Sequence, residues 1–147
     1  MLLTVAVAAV IFVLIQFVPS RITNPPVTQE PVWDSPQTRA LAVRACYDCH
    51  SNQTKSPWYA SVAPISWWLK SHVDDGRRAL NFSEWDREQR TRDIVETVQH
   101  GSMPPSYYTW FGLHSDAKLT PAEKTALING LEATIGPQAT FGGRRGR

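Results

Sequence analysis

The residues with the clearest chemistry are two cysteines and a histidine that lie close together. Cys46, Cys49 and His50 form C-Y-D-C-H, the C-x-x-C-H pattern that attaches a c-type haem covalently. Two thiols one helical turn apart can each bond a vinyl group on one porphyrin edge, while the adjacent imidazole ligates the iron. The chain has two cysteines in total, and both belong to this motif. The motif therefore predicts one covalently bound haem c with His50 as an iron ligand.

Three other chemistries use the same residue types. A thioredoxin-like C-x-x-C would follow a strand in a βαβ unit, and no strand pattern precedes this one. A zinc site would need two further ligands from His72, His100 and His114, whose spacing is not paired. A disulfide between Cys46 and Cys49 would close a very short loop. Haem attachment is favoured over these alternatives.

The sixth iron ligand is predicted to be Met103, in the sequence G-S-M-P-P. Two prolines after the methionine make a stiff loop that can hold a flexible thioether at a fixed distance from iron. His72 is the main alternative ligand and would give a bis-histidine haem. His100 and His114 are weaker candidates, and Met103 could instead be a loop residue that packs on the core. A thioether ligand raises the reduction potential relative to a second imidazole.

Aromatic residues follow or flank these motifs, and some of them are expected to form the walls of a haem pocket, since planar apolar side chains suit a planar apolar cofactor. They are Trp58, Tyr59, Trp67, Trp68, Tyr107, Tyr108, Trp110 and Phe111. Arg77 and Arg78 could pair with haem propionates. A solvated helix surface is the favoured interpretation of these two arginines.

Helical signals predict an all-α fold. A first helix is expected to begin at Ser35-Pro36, an N-cap followed by proline, and to reach Cys46. A second should run from about Pro64 to Leu80, and a third from Ser83 to Gly101. The last should begin at Thr120-Pro121-Ala122-Glu123, which reads as a capping box.

Composition divides the chain into four predicted segments. Residues 1–20 are predicted to be a retained transmembrane anchor in contact with lipid, because Met1 to Val18 is an uncharged stretch just long enough to cross a hydrocarbon core. A cleaved signal peptide is less favoured, because a basic n-region is missing and no small-x-small cleavage site follows the apolar run. Residues 21–34 are rich in proline and suit an extended spacer. Residues 35–137 should form the haem domain.

Residues 138–147 form the fourth segment, a Gly-rich tail that carries Arg144, Arg145 and Arg147 and is predicted to be flexible and solvated. The formal net charge is +2, and acidic and basic residues are interspersed. Nucleic acid is therefore a poor candidate partner.

The chain resembles the small bacterial haem-binding domain cytochromes, which are often membrane-anchored. Four segments carry the resemblance: C-Y-D-C-H-S-N at residues 46–52, S-P-W-Y at 56–59, N-F-S-x-W at 81–85 and M-P-P-x-Y-Y at 103–108. The resemblance implies a single c-type haem and a redox or haem-binding role. Kinship to class I cytochromes c is weaker, because the first helix lacks the glycine and the aromatic residue that pack against the last helix in those proteins.

The favoured function is electron transfer by a mono-haem cytochrome, not an enzyme, in the bacterial plasma membrane. Because haem c attachment is completed outside that membrane, the domain should face the periplasm and serve redox partner proteins or a membrane redox complex. Two alternatives remain: a haem sensor or enzyme with an open sixth position, and a structural accessory subunit.

Overall fold

The computed structural model of the protein describes residues 1–139. This part of the chain contains helices and one isolated β-bridge, between Gln29 and Glu84, and no strand. The predicted all-α class is confirmed there. The α-helices are α1 (Leu2–Ile15), α2 (Pro36–Ala45), α3 (Tyr47–His50), α4 (Ile65–Ala79), α5 (Ile94–Gln99) and α6 (Pro121–Ala139), and the 3₁₀ helices are Trp58–Ser61, Ser106–Gly112 and Ser115–Ala117.

The predicted transmembrane anchor over residues 1–20 is wrong. Helix α1 has 14 residues, which at about 1.5 Å per residue span about 21 Å of a hydrocarbon core about 30 Å thick. Across residues 1–139, none of the helices combines the length and apolar character that crossing a bilayer requires. The predicted localisation in the bacterial plasma membrane, with the domain facing the periplasm, is wrong with it.

Helix α1 ends early because the next residue is bound to the domain. The Gln16 side-chain amide donates to the Ala63 carbonyl (3.1 Å), and its oxygen accepts from the Ala63 amide (2.9 Å). These paired bonds satisfy both backbone groups of Ala63, close to the start of α4. The chain after Ile15 is therefore fixed by a contact 47 residues away in sequence.

The proline-rich segment 21–34 lies along the domain, where a spacer held away from it was expected. Thr28 donates its amide to the Ser83 carbonyl (2.9 Å), and Trp85 donates to the Gln29 carbonyl (2.9 Å). Asn24 exchanges two hydrogen bonds with the Thr54 backbone (3.0 and 3.1 Å). We call residues 21–34 the strap.

Helices α2 and α6 cross closely at a small residue. A Cβ on Gly130 would stand 2.0 Å from Thr38 Oγ1, so only glycine permits this approach. Ala42 is fully buried nearby on α2. The glycine that the first helix lacks is thus supplied by the last helix.

The caps predicted for these two helices are confirmed. The Ser35 hydroxyl accepts from the Thr38 amide (3.2 Å) and caps α2. At α6, Thr120 Oγ1 accepts from the Glu123 amide (3.2 Å), while the Glu123 carboxylate accepts from the Thr120 amide (2.8 Å). Such reciprocal bonds satisfy amides that a helix start leaves unpaired. The α6 stripe fills the core through Leu127, Leu131 and Ile135.

The predicted second helix is confirmed as α4, but the predicted third helix is wrong in extent. Only α5, at Ile94–Gln99, is helical between Ser83 and Gly101. The Ser83 hydroxyl does not cap a helix, because it accepts a hydrogen bond from the Asn52 amide (2.9 Å). Gly101 has a φ of 72° and follows the end of α5, as its predicted role requires.

Candidate functional site

A cavity of about 680 Å³ lies between α3, α4 and the segment that follows α5. Its wall combines apolar side chains, among them Ile65, Leu69 and Val73, with the residues that the sequence predicted as functional. These are Cys46, Cys49, His50, Met103 and His72. Tertiary structure therefore brings all five into one cavity.

Close packing of α3 on α4 forms the floor of this cavity. A Cβ on Gly76 would stand 2.4 Å from the Cys49 carbonyl oxygen, so any larger residue would push the two helices apart. The motif is also tied to the N-F-S segment, because Phe82 donates its amide to the His50 carbonyl (2.8 Å) and Asn81 donates its side-chain amide to Asn52 (2.8 Å). The attachment motif is thus held on two sides.

The His50 ring is oriented by two backbone carbonyls. Its Nδ1 lies 3.0 Å from the Gly76 oxygen and 3.1 Å from the Leu80 oxygen, so Nδ1 carries the proton and donates. This leaves the Nε2 lone pair available to a metal, and a histidine that ligates a metal commonly donates its other N–H in this way. Burial lowers the pKa of His50, which favours the neutral ring that a metal needs.

Both cysteines are free thiols, which speaks against the disulfide alternative. Burial, helped by the neighbouring Cys49, raises the pKa of Cys46 to about 12. Burial and the adjacent Asp48 raise the pKa of Cys49 to about 11. Within residues 1–139, no cluster of three or more His, Cys, Asp and Glu side chains is arranged to hold a metal ion, so nothing supports the zinc alternative.

Met103 lies at the end of a loop tied to α5. The Thr97 carbonyl accepts from the amides of Ser102 (3.0 Å) and Met103 (3.2 Å). The Met103 residue is 39% exposed, and its position on the cavity wall is compatible with a thioether ligand.

The alternative ligand His72 lies on α4 and on the same cavity. Its Nδ1 is 2.8 Å from the Trp68 carbonyl oxygen, and its ring packs against Trp68 (4.2 Å between centroids) and Tyr107 (5.9 Å). His114 also lines the cavity, whereas His100 does not. His100 is exposed and lies 3.7 Å from Glu96.

Of the aromatic residues predicted as walls, Tyr59, Trp68, Tyr107 and Tyr108 line the cavity. Trp58 and Trp110 are not on its wall and are 81% and 57% exposed. Trp67 lies on α4 away from the wall. The side chain of Phe111 lies outside the described part of the structure.

The two arginines predicted as candidates for propionate binding have other partners. Arg77 donates to the Ser51 carbonyl (2.7 Å) and to the Thr23 carbonyl of the strap (2.7 Å). Arg78 is exposed and pairs with Asp75 (2.8 Å). Among the described residues that line the cavity, the single lysine or arginine is Lys55. Sequence reasoning missed Lys55, because nothing in its spacing marks it.

A second residue missed by the sequence is Asp48, between the two cysteines. Its carboxylate accepts from the Lys55 amide (2.9 Å) and from the Tyr108 hydroxyl (2.6 Å), and lies 3.7 Å from His114 Nδ1. The tyrosine is 60 positions away, so no local pattern reveals the contact.

A haem fits this donor set. An apolar cavity holds a thiol pair, an imidazole with Nδ1 already engaged and Nε2 available, and a thioether, and these are the groups that bind haem c. The site is therefore compared with known proteins as a candidate haem-binding site.

Comparison with known families agrees with a haem-binding site. The family model for a haem-binding domain matches residues 10–133, most of the chain. The protein belongs to the haem-binding domain family, which confirms the predicted family. No curated protein matches the chain, and no solved structure does.

Proposed function

We propose that the protein is a mono-haem c-type cytochrome that transfers electrons. The observation that carries the proposal is the His50 ring, whose Nδ1 is held by the Gly76 and Leu80 carbonyls in the cavity that contains both motif thiols. Such a fixed ring lowers the cost of ordering a ligand, because its orientation is set before the metal binds.

Each lining residue has a role in this proposal. Cys46 and Cys49 would hold the haem by adding their S–H groups across its two vinyl groups, with no leaving group. His50 Nε2 and Met103 Sδ would ligate the iron. Lys55 is the one lysine or arginine among the described residues that line the cavity, and it would pair with a propionate carboxylate. A bound haem iron supplies one-electron chemistry by alternating between its ferric and ferrous forms.

Ligation of the iron by both His50 and Met103 would favour electron transfer over catalysis, since it would leave no site for a substrate on the metal. A sensor or enzyme with an open site is the second candidate. It is favoured by the partial exposure of Met103, which would make a weakly held thioether replaceable by a small ligand.

Covalent attachment is tested by a haem stain after denaturing electrophoresis. The wild-type chain should retain the stain, and the variant with both Cys46→Ala and Cys49→Ala should lose it while still binding haem non-covalently. Wild-type protein that carries no stain after expression with a haem-attachment system would refute the proposal.

The sixth ligand and the functional class are tested by absorption spectra of the haem-loaded protein. Met103→Ala should abolish the charge-transfer band of methionine-ligated ferric haem and allow the reduced protein to bind carbon monoxide. His72→Ala should leave that band in place. A band that survives in Met103→Ala would refute methionine ligation, and tight carbon monoxide binding by the wild type would favour the sensor or enzyme.

A further inference from the structure

The Asp48 carboxylate joins two separate walls of the cavity. Its Oδ1 accepts from the Lys55 amide (2.9 Å), in the loop that follows the C-Y-D-C-H motif. Its Oδ2 accepts from the Tyr108 hydroxyl (2.6 Å), in the 3₁₀ helix Ser106–Gly112. One side chain of α3 therefore binds both the loop that follows the motif and the segment that follows Met103.

The bond between Tyr108 and Asp48 is partly shielded from water. The Asp48 side chain is 23% exposed, and the Tyr108 ring stacks on the His114 ring with 4.2 Å between centroids. Burial and the adjacent Asp48 raise the pKa of Tyr108, so the phenol keeps its proton and remains a donor. Hydrogen bonds to a charged acceptor are among the stronger ones in proteins.

Met103 lies between two attachments. On its N-terminal side, its own amide donates to the Thr97 carbonyl (3.2 Å) at α5. On its C-terminal side, Pro104 and Pro105 limit the backbone between Met103 and the 3₁₀ helix that carries Tyr108. Because Asp48 lies two residues before His50 on α3, the Tyr108 bond fixes this loop relative to His50, the other proposed iron ligand.

We propose that Asp48 and Tyr108 are positioning residues that hold the Met103 loop at the distance required for ligation of the haem iron. The inference rests on the proposed function, because it presupposes a haem with Met103 as sixth ligand. Without the bond the loop keeps its hydrogen bonds to Thr97 and the ring contacts of Tyr107 and Tyr108, but it loses its hydrogen bond to α3. The thioether then spends more time away from the metal. A ligand added from solution then competes more easily for the sixth position.

The test uses the full haem-loaded chain and the variant Tyr108→Phe, which removes one hydroxyl and keeps the ring that stacks on His114. We expect a weaker methionine charge-transfer band and imidazole binding to ferric haem that is about tenfold tighter, equivalent to about 1.4 kcal/mol. The matched control is Thr109→Val, which removes a hydroxyl from the same 3₁₀ helix. Among the described residues, the Thr109 hydroxyl bonds locally, to the Ser106 carbonyl (3.4 Å). The band and the imidazole affinity of Thr109→Val should therefore stay at wild-type values.

A second variant, Asp48→Ala, removes the acceptor and should reproduce the Tyr108→Phe phenotype. The methionine band of the double variant should be no weaker than that of Asp48→Ala alone, because both changes break the same bond. Far-ultraviolet circular dichroism of each variant identifies a general loss of folding, which would lower helix content as well as the band.

The outcomes separate the two proposals. A wild-type protein without the methionine band would overturn Met103 ligation, and this inference with it. If the wild type shows the methionine band, and both Tyr108→Phe and Asp48→Ala keep that band and the wild-type imidazole affinity, the positioning role alone would be overturned. Covalent haem staining, which does not depend on Met103, remains an independent readout of the proposed function in either case.

Discussion

At the scale of single residues, the cavity prepares its side chains for a metal through backbone contacts. The Gly76 and Leu80 carbonyls set the tautomer of His50, and the Thr97 carbonyl holds the amide of Met103. Neither contact involves a charged group. Burial keeps the histidine neutral, since desolvation penalises the imidazolium.

Lys55 provides the prediction that belongs to this scale. If Lys55 pairs with a propionate as proposed, Lys55→Gln should lower the midpoint reduction potential by about 10–40 mV, because removal of a positive charge near the haem favours ferric over ferrous iron. This range is equivalent to the 0.2–1 kcal/mol typical of an exposed ion pair. Potentiometric titration measures it, and the difference should shrink at high salt.

The matched controls for Lys55 are Lys55→Arg, which retains the charge, and Lys118→Gln, which removes a charge from a residue outside the cavity wall. Both should keep the wild-type potential. An equal shift in Lys118→Gln would mean that Lys55 acts only through net charge.

At the scale of elements, two helix crossings depend on glycine. Gly76 allows α4 to reach the Cys49 carbonyl, and Gly130 allows α6 to reach Thr38. Both crossings are closer than a Cβ permits, so each glycine determines how far its helix stands from its neighbour. The first crossing positions the haem motif and the second closes the core.

Gly76→Ala should destabilise the protein by about 1–3 kcal/mol, the usual cost of overpacking, because the added Cβ would stand 2.4 Å from the Cys49 oxygen. Displacement of α4 would also move both carbonyls that hold His50, so less haem should be attached per chain. Urea unfolding and the ratio of haem stain to protein measure the two effects.

Gly136→Ala is the control, because a Cβ there has no described atom within 4 Å. It should be neutral or stabilising, as alanine favours a helix over glycine. Equal loss of stability in both variants would argue against a steric role for Gly76.

The start of α6 provides a pH prediction. The hydrogen bond from Arg44 and the bonds from Thr120 lower the pKa of Glu123 to about 2, from 4.5 in the absence of these partners. A lowered pKa in the folded state stabilises it above pH 4.5, and the contribution disappears as the pH falls towards 2. Glu123→Gln should therefore be less stable than wild type at neutral pH and equal to it near pH 2.

Urea midpoints measured at several pH values test this dependence. Glutamine can retain the capping box, so the comparison isolates the charge. Glu132→Gln, at an exposed position of the same helix, is the matched control. A difference between wild type and Glu123→Gln that does not change with pH would contradict the ionic origin.

At the scale of the whole molecule, the strap is part of the folded domain. Arg77 connects it to the cavity, because the guanidinium donates to Thr23 and Asn24 of the strap and to Ser51 and Thr54 beyond the motif. The strap, which contains no proposed haem ligand, is thus linked through Arg77 to the loop that follows the C-Y-D-C-H motif.

Arg77→Gln should destabilise the protein by about 1.5–3 kcal/mol, the range for loss of hydrogen bonds to a charged group, and should expose the strap to protease. Limited proteolysis with mass spectrometry locates the first cleavage. Arg78→Gln is the control, since Arg78 is exposed and forms one local pair, and its effect should stay within about 0.5 kcal/mol. First cleavage outside residues 21–34 would contradict a clamping role.

Much of the fold could be predicted because its signals are local. The Ser35 cap, the α6 capping box and the apolar spacing of α4 each lie within a few residues of what they control. The extent of α5 could not, because Ser83 has its partner at Asn52, 31 positions away. The anchor prediction failed for a related reason, since Gln16 binds Ala63.

The sequence by itself determined which groups are available to a haem, because C-Y-D-C-H places two thiols and an imidazole on one short stretch, where the spacing is enforced by covalent geometry. Only the tertiary structure decided what surrounds them. His50 is oriented by carbonyls of α4, Met103 reaches the same cavity from the loop after α5, and Asp48 binds a tyrosine 60 positions away. Such partners depend on how helices pack, and a local pattern of residue types does not encode that packing.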